Sequence, residues 1–303
     1  MVARALDMSK RHQLVPARVR SANGSVTPAQ PPSAAHRTDS VSTESVLRPT
    51  LATEPLALPV EVIRVAQVSP SMVRVTLSGE RLLGFASRGA DQWVRIFLPR
   101  EGQRRPVLPA TERWWPETCA IPEPIRPIVR NYTVRRSRPT AGELDIDIVR
   151  HGECGPGTRW AGRVRVGDRI GILDQSTTYT PPPYLPWRLL LGDESALPAI
   201  GSIVEGLPAG VRAIAFVEVP SPLDTQHLES AADLTVHWLP RTPGLRVGVR
   251  VLTALRDARL PDGCPYVFLS GEQRLVRNAR RLLLAGRNYD PKALCFMSYW
   301  RLG

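Results

Sequence analysis

The amino-acid sequence predicts an antiparallel β-barrel followed by a doubly wound parallel sheet with helices on its faces. Short alternating strands with few helices fill residues 56–182, which is typical of a barrel. From residue 183 to residue 303, strand and helix patterns alternate, which favours a parallel sheet. Three consecutive prolines at residues 181–183 indicate the linker between the two patterns.

Before the barrel, residues 1–55 are rich in Ser, Thr, Pro, Ala and Arg and show no sustained apolar period. Such a segment cannot bury enough apolar surface to offset the conformational entropy lost on ordering. We therefore expect residues 1–55 to form a disordered N-terminal extension.

The barrel strands are predicted from alternating or β-branched runs bounded by turn residues. Residues 157–162 are predicted to form a short helix. Residues 100–128 contain Pro, Gly and two adjacent Trp, and we expect them to form an ordered excursion from the barrel between two of its strands. The predicted strands are residues 60–65, 73–77, 92–98, 131–136, 144–148 and 168–173.

The sheet elements follow the linker in alternating order, with short apolar strands separated by helical patterns. The predicted strands are residues 188–191, 213–219, 234–239, 266–269 and 293–300, and the predicted helices are residues 195–205, 249–258 and 272–284.

With 40 Lys and Arg against 28 Asp and Glu, the chain carries a formal charge of +12. The basic residues form no long run, which argues against nucleic acid and suits a small anionic partner. No apolar run reaches the length of a membrane-spanning helix, and no secretory-type apolar core follows the N-terminus. We expect a cytoplasmic monomer with no membrane span.

The cysteines are widely separated, with neither a Cys-x-x-Cys spacing nor a His at metal-ligand distance. This pattern disfavours a zinc or iron–sulfur site, so no metal site is expected. Scattered cysteines are usually buried small hydrophobic residues in a reducing compartment. The cysteines are Cys119, Cys154, Cys264 and Cys295.

A cation, an aromatic ring and a hydroxyl that suit a flavin lie at and just before the start of the strand at residues 131–136. Arg130 can fork onto a pyrophosphate, the Tyr132 ring can stack on an isoalloxazine, and the Thr133 hydroxyl can bond near N5. Arg130 and Tyr132 share one face of the strand, and Thr133 lies on the other unless a bulge intervenes. An ordinary strand with an amphipathic Tyr is the alternative.

A glycine-rich bend follows, running from His151 into the helix that contains Thr158. Backbone N–H groups at such a helix N-terminus suit phosphate oxygens. The alternative is a plain helix start with Thr158 as the N-cap residue.

The strongest single segment is the apolar strand that runs into Gly192 and then into a helix with Pro198 at an early position. It places a helix N-terminus at the carboxyl edge of the sheet, where nucleotides bind in doubly wound folds. Residues 270–272 repeat the arrangement at a later strand. Arg241 could meet the 2′-phosphate of NADPH or could be a solvated loop residue, so the choice between NADH and NADPH stays open.

The order of these segments resembles the siderophore-interacting protein family, flavin-dependent ferric-siderophore reductases of the ferredoxin-reductase superfamily. The resemblance covers about residues 57–303. The matching segments are residues 126–135, 142–147, 151–152, 155–156, 160–161, 167–168, 192–200, 216–219, 271–272 and 299–301.

The resemblance implies an FAD-binding barrel at residues 56–182, an NAD(P)H-binding sheet at residues 183–303, and reduction of a chelated ferric ion. It demands no catalytic side chain, because the cofactor carries the redox chemistry. It implies that Arg130, Tyr132, Thr133, His151 and Thr158 hold the flavin, that Asp193, Glu194 and Ser195 lie by the nicotinamide, and that Arg301 meets the anionic ferric siderophore.

Two other functions remain open from the sequence. The same flavoprotein could serve an organic metabolite or a partner protein. Alternatively, the chain could be a non-catalytic binder of a ferric chelate or of flavin, because bulky residues 273–275 follow Gly271 and Glu272 where a nucleotide should fit.

Overall fold

The computed structural model of the chain describes residues 56–150 and 155–302, and of residues 3–5 the backbone alone. The strands are β1 Ala3–Ala5, β2 Leu58–Ser69, β3 Met72–Ser78, β4 Trp93–Leu98, β5 Ile128–Arg138, β6 Glu143–Val149, β7 Arg169–Ser176, β8 Trp187–Asp193, β9 Arg212–Val219, β10 Asp233–Pro240, β11 Tyr266–Glu272 and β12 Leu294–Leu302. The α-helices are α1 Trp114–Ala120, α2 Pro156–Arg163, α3 Leu197–Glu205, α4 Val249–Asp257 and α5 Gln273–Arg281.

Strands β2 to β7 close into an antiparallel barrel in the order β2-β3-β6-β5-β4-β7. Alternate residues of each strand point inward, so that Val75, Val94 and Ile146 are fully buried in one aliphatic core. On the outer face, the excursion at residues 100–128 covers the buried Phe97 with Trp114. The predicted barrel is confirmed.

The second sheet has the order β1-β12-β11-β8-β9-β10 within the described residues. Strands β8 to β12 are parallel, and β1 is antiparallel to β12. Strand β8 is buried on both faces: Leu190 packs in the core that contains α3, whereas Leu189 and Leu191 pack in the core that contains α4 and α5. Helices therefore cover both faces, as predicted for a doubly wound sheet.

Three details differ from the sequence-based elements. The helix predicted at residues 272–284 is an α-helix only over Gln273–Arg281, and it continues as a π-helix over Leu282–Gly286. Within the predicted disordered extension, Ala3–Ala5 forms β1, and the rest of residues 1–55 lies outside the described residues. Cys119 is exposed, so the expectation of buried cysteines is wrong there.

Buried carboxylates join the barrel to the sheet. Asp224, after β9, accepts hydrogen bonds from the Ser69 hydroxyl and the Ser71 N–H of the barrel, each at 2.8 Å. Asp91, before β4, accepts from the N–H groups of Thr178 and Tyr179, which lie after β7 on the way to the linker, both at 3.0 Å. Among the described helices, none is long and apolar enough to span a membrane.

Candidate functional site

The register of β4 and β5 fixes where the three predicted flavin residues of β5 point. Arg130 and Tyr132 lie opposite Ile96 and Val94, whose side chains fill the barrel core. Directly opposite residues in an antiparallel pair share a face, so Arg130 and Tyr132 point toward the barrel interior. Thr133 lies opposite Trp93 on the other face, as the alternation predicted.

Helix α2 approaches Tyr132 closely at Gly157. A Cβ placed on Gly157 would collide with the Tyr132 hydroxyl and lie 3.8 Å from Cγ of Arg130. Gly155, the N-cap residue, has φ +115°, which also favours glycine. Burial raises the pKa of Tyr132 to about 12, against the opposing effect of Arg130, so its phenol is neutral at physiological pH.

Thr158 lies inside α2 and does not cap it. The helix begins at Pro156 with Gly155 as its N-cap residue, three residues before Thr158, so the N-cap interpretation is wrong. The Thr158 hydroxyl instead donates to the carbonyl of Val149 at 3.5 Å. His151 lies outside the described residues, and its role stays a prediction.

At the carboxyl end of β8, Asp193 is fully buried and is bonded on both oxygens. Its Oδ1 accepts from the N–H of Ser195 at 2.9 Å and from its hydroxyl at 2.5 Å. Its Oδ2 accepts from the N–H of Glu272 at 2.6 Å and from the Trp300 indole at 3.0 Å. Asp193 therefore ties the ends of β8, β11 and β12 together and does not face an open site.

Glu194 is also turned inward and is paired with Arg241. The Arg241 guanidinium donates to both oxygens of Glu194, and its Nε donates to Glu218 at 3.0 Å. Burial and the neighbouring Asp193 raise the pKa of Glu194 to about 7, against the opposing effect of Arg241. Arg241 is therefore held by two carboxylates of this chain and is not a solvated loop residue.

Helices α4 and α5 have their N-termini occupied by carboxylates of this chain. Glu218 accepts from the N–H of Gly248 at 2.9 Å, and Glu272 accepts from the N–H of Leu275 at 3.1 Å. The N-cap residue of α3, Ala196, makes no side-chain capping bond. The start of α3 is likewise satisfied within this chain, because the N–H groups of Ala196 and Leu197 donate to the carbonyls of Asp193 and Glu194, and Pro198 has no N–H.

The barrel and the sheet meet at Tyr299 of β12. Burial raises the pKa of Tyr299, and the hydroxyls of Ser270 and Thr133 act in the opposite direction, so the phenol stays neutral. Next to Thr133, the buried indole N–H of Trp93 finds no acceptor among the described residues. The contact thus combines an unsatisfied donor, hydroxyls and aromatic rings, which suits a planar polar ligand.

Ser195 and Arg301 are the predicted residues that keep solvent access on the sheet side. Ser195 is half-buried in the turn between β8 and α3. Arg301 is exposed on β12 beside Trp300, at a position paired with β1. Sequence reasoning missed the close packing of Gly157 on Tyr132 and the carboxylates of Glu218 and Glu272 at the starts of α4 and α5. For Glu272 a signal was available, because a Glu that ends an apolar strand directly before a helix can cap that helix.

Comparisons with known proteins agree with this arrangement. A family profile described as "Siderophore-interacting FAD-binding domain" matches residues 61–178, and one described as "Siderophore-interacting protein" matches residues 185–303. Ferric vibriobactin reductase ViuB of Vibrio cholerae is 30% identical over 80% of this chain and 88% of its own length. The NADPH-dependent ferric-chelate reductase of Escherichia coli is 27% identical over 79% of this chain and 91% of its own length. The crystal structure of a siderophore utilization protein from T. fusca is 33% identical, with a TM-score of 0.74, covering 84% of this chain and 97% of that one.

Proposed function

The chain belongs to the siderophore-interacting protein family, and from that premise we propose that it is an FAD-dependent reductase of ferric siderophores. The profile that matches the barrel confirms the prediction of FAD. The electron donor we propose is NADPH or NADH, because a relative is named an NADPH-dependent ferric-chelate reductase. We assign flavin binding to residues 56–182 and nucleotide binding to residues 183–303.

The observation that carries the proposal is the fit of β5 and α2 to a flavin. Gly157, in the first turn of α2, places no side chain over Tyr132 and Arg130. This lets backbone N–H groups approach phosphate oxygens while Arg130 forks onto the pyrophosphate.

In this assignment Tyr132 and Thr133 position the ring and Arg130 neutralises the pyrophosphate. When bound, FAD supplies the exchange between two-electron and one-electron chemistry. Tyr132 stays a neutral phenol, because its pKa of about 12 lies far above physiological pH. Thr158 and His151 complete the cofactor side of the proposal, by lining the phosphate or ring.

On the sheet side, Ser195 is the residue we propose to contact the nicotinamide. Asp193 and Glu194 are bonded to groups of this chain, so we propose that they hold this turn beside the nicotinamide. We assign Arg301, exposed at the end of β12, to the anionic ferric siderophore.

The experiment is reconstitution with FAD followed by turnover. We expect yellow protein with one FAD per chain that oxidises NADPH or NADH in the presence of ferric siderophores. Protein that remains colourless with excess FAD would contradict the proposal. Turnover confined to quinones or a partner protein would favour the second function considered above, and bound FAD without turnover of any acceptor would favour a binder.

A further inference from the structure

We propose that the contact between β5 and α3 sets the geometry between the flavin and the nicotinamide, with Arg135 and Glu205 as positioning residues. The inference rests on the proposed function. It concerns residues that touch neither cofactor nor substrate but connect the two segments that do.

The contact is a two-pronged ion pair between Arg135 of the barrel, which is buried, and Glu205 of the sheet, which is half-buried. Arg135 of β5 donates from Nη1 to Oε2 of Glu205 at 2.7 Å and from Nη2 to Oε1 at 2.5 Å. A bidentate pair of this kind fixes orientation as well as distance. One turn earlier on α3, the Ser202 hydroxyl donates to the Arg135 carbonyl at 2.9 Å, so side chain and backbone are held together.

A glycine on α3 makes this close approach possible. A Cβ placed on Gly201 would lie 3.0 Å from Nη2 and 3.1 Å from Cζ of Arg135. Both distances are tighter than ordinary van der Waals contact, so a larger residue would push the helix away from the guanidinium. Gly201 and Ser202 thus form a fitted surface for Arg135.

Each partner of the ion pair is rigidly joined to one half of the proposed site. Arg135 stands two residues after Thr133 on the same strand. Glu205 ends α3, which begins two residues after Ser195. A nine-residue helix spans roughly 13 Å, so a tilt at Glu205 moves the Ser195 turn relative to Thr133.

The remaining charges allow the contact to be weakened without unfolding the barrel. Asp147 of β6 accepts two hydrogen bonds from Arg74 at 2.7 Å and lies 3.7 Å from Nε of Arg135. Arg135 therefore keeps a negative partner when the Glu205 charge is removed. A Glu205→Gln variant removes the negative charge that faces Arg135, but Arg135 is not left as an isolated buried cation.

The test variant is Glu205→Gln, assayed by anaerobic stopped-flow reduction of bound flavin. Small misplacements of reacting groups have large kinetic costs, since a 1 Å error can lower a rate about 100-fold. With Ser202 still in place, we expect the limiting rate of flavin reduction to fall on the order of tenfold. FAD content and the Kd for the nucleotide should stay within about twofold, because no residue that binds either is changed.

The matched control is Glu143→Gln. Glu143 is 21% exposed, as Glu205 is, and accepts from Arg138 at 2.7 Å, but both residues lie in the barrel. Its limiting rate of flavin reduction should equal that of the wild type. Backbone hydrogen exchange on FAD-free protein adds a readout without activity: Glu205→Gln should speed exchange in α3 and β5, and Glu143→Gln should not speed exchange in α3.

Each outcome is decisive. A Glu205→Gln protein that is folded, FAD-loaded and reduced at the wild-type limiting rate would overturn the positioning role, as would equal slowing in Glu143→Gln. If Glu205→Gln does not fold, Ser202→Ala replaces it, with several-fold slowing supporting the role and a wild-type rate overturning it. Wild-type protein that neither holds FAD nor is reduced by NADPH or NADH would instead defeat the proposed function.

Discussion

The two halves of the proposed site are prepared in opposite ways. On the barrel side, Gly157 lets α2 pack directly against Tyr132, and the buried Trp93 indole N–H lacks an acceptor among the described residues. On the sheet side, Asp193 and Glu218 are completely buried and bonded to groups of this chain. The barrel side therefore combines a close glycine contact with an unsatisfied donor, whereas these two carboxylates of the sheet are satisfied by groups of this chain.

The largest effect on cofactor binding is expected on the barrel side, at Gly157. In Gly157→Val the new side chain must occupy the space of the Tyr132 hydroxyl, so we expect loss of bound FAD, with affinity lowered at least roughly 100-fold. The measurement is the ratio of flavin to protein absorbance after purification and FAD titration.

Gly162→Ala on the same helix is the control, because a Cβ there meets nothing within 4 Å. It should bind FAD normally and gain about 0.5–1 kcal/mol of stability from lower unfolded-chain entropy. Normal FAD binding by Gly157→Val would break the comparison between the two sides.

On the sheet side, Asp193→Asn should lower the free energy of unfolding while leaving FAD bound to the folded protein. The amide cannot accept from all the donors that surround both Asp193 oxygens, so we expect a loss of about 3–5 kcal/mol in the free energy of unfolding. Urea unfolding of FAD-free protein measures it. Bound FAD should be retained at low urea, and a variant as stable as the wild type would show that Asp193 is not the structural tie.

The stability of the folded protein should depend on pH through the titration of Glu194, which lies in the same region. Its folded pKa of about 7 lies above the ordinary 4.5, so its contribution to stability is fully present below pH 4.5 and is lost as pH rises through 7. The lost contribution is on the order of 3 kcal/mol. Comparing urea unfolding at pH 5 and pH 8 for wild type and Glu194→Gln tests this. The variant should show a smaller fall in stability, and equal falls would place the titration elsewhere.

The smallest effect is expected at Arg301, which is exposed and outside both cofactor halves. Arg301→Ala should raise the KM for an anionic ferric chelate about ten- to a hundredfold, equivalent to roughly 1.5–3 kcal/mol. Flavin content and reduction by the nucleotide should be normal. Chelate kinetics that match the wild type at low ionic strength would remove Arg301 from the substrate site.

Local patterns predicted most of the fold and half of the site. Period-two alternation located the barrel strands and the opposite facing of Tyr132 and Thr133, because side-chain direction follows from position along a strand. The glycine-led turn at Gly192 likewise predicted a helix start at the sheet edge. These features depend on residues that are neighbours in sequence.

The contacts between distant residues could not be predicted in this way. Arg241 pairs with Glu194 across 47 residues, and Arg135 with Glu205 across 70. Which acid faces which arginine depends on strand order and helix placement, which no local period records. For the same reason the inward turn of Asp193 and Glu194 was missed, although their segment was identified.

The most direct test of a resident flavin served by a transient nucleotide is anaerobic mixing of FAD-loaded protein with NADPH or NADH. Flavin absorbance should bleach in a single-turnover step and return on addition of a ferric siderophore, while FAD stays with the protein on a desalting column. Flavin that is not bleached by either nucleotide, or that is lost with the nucleotide on desalting, would contradict the account.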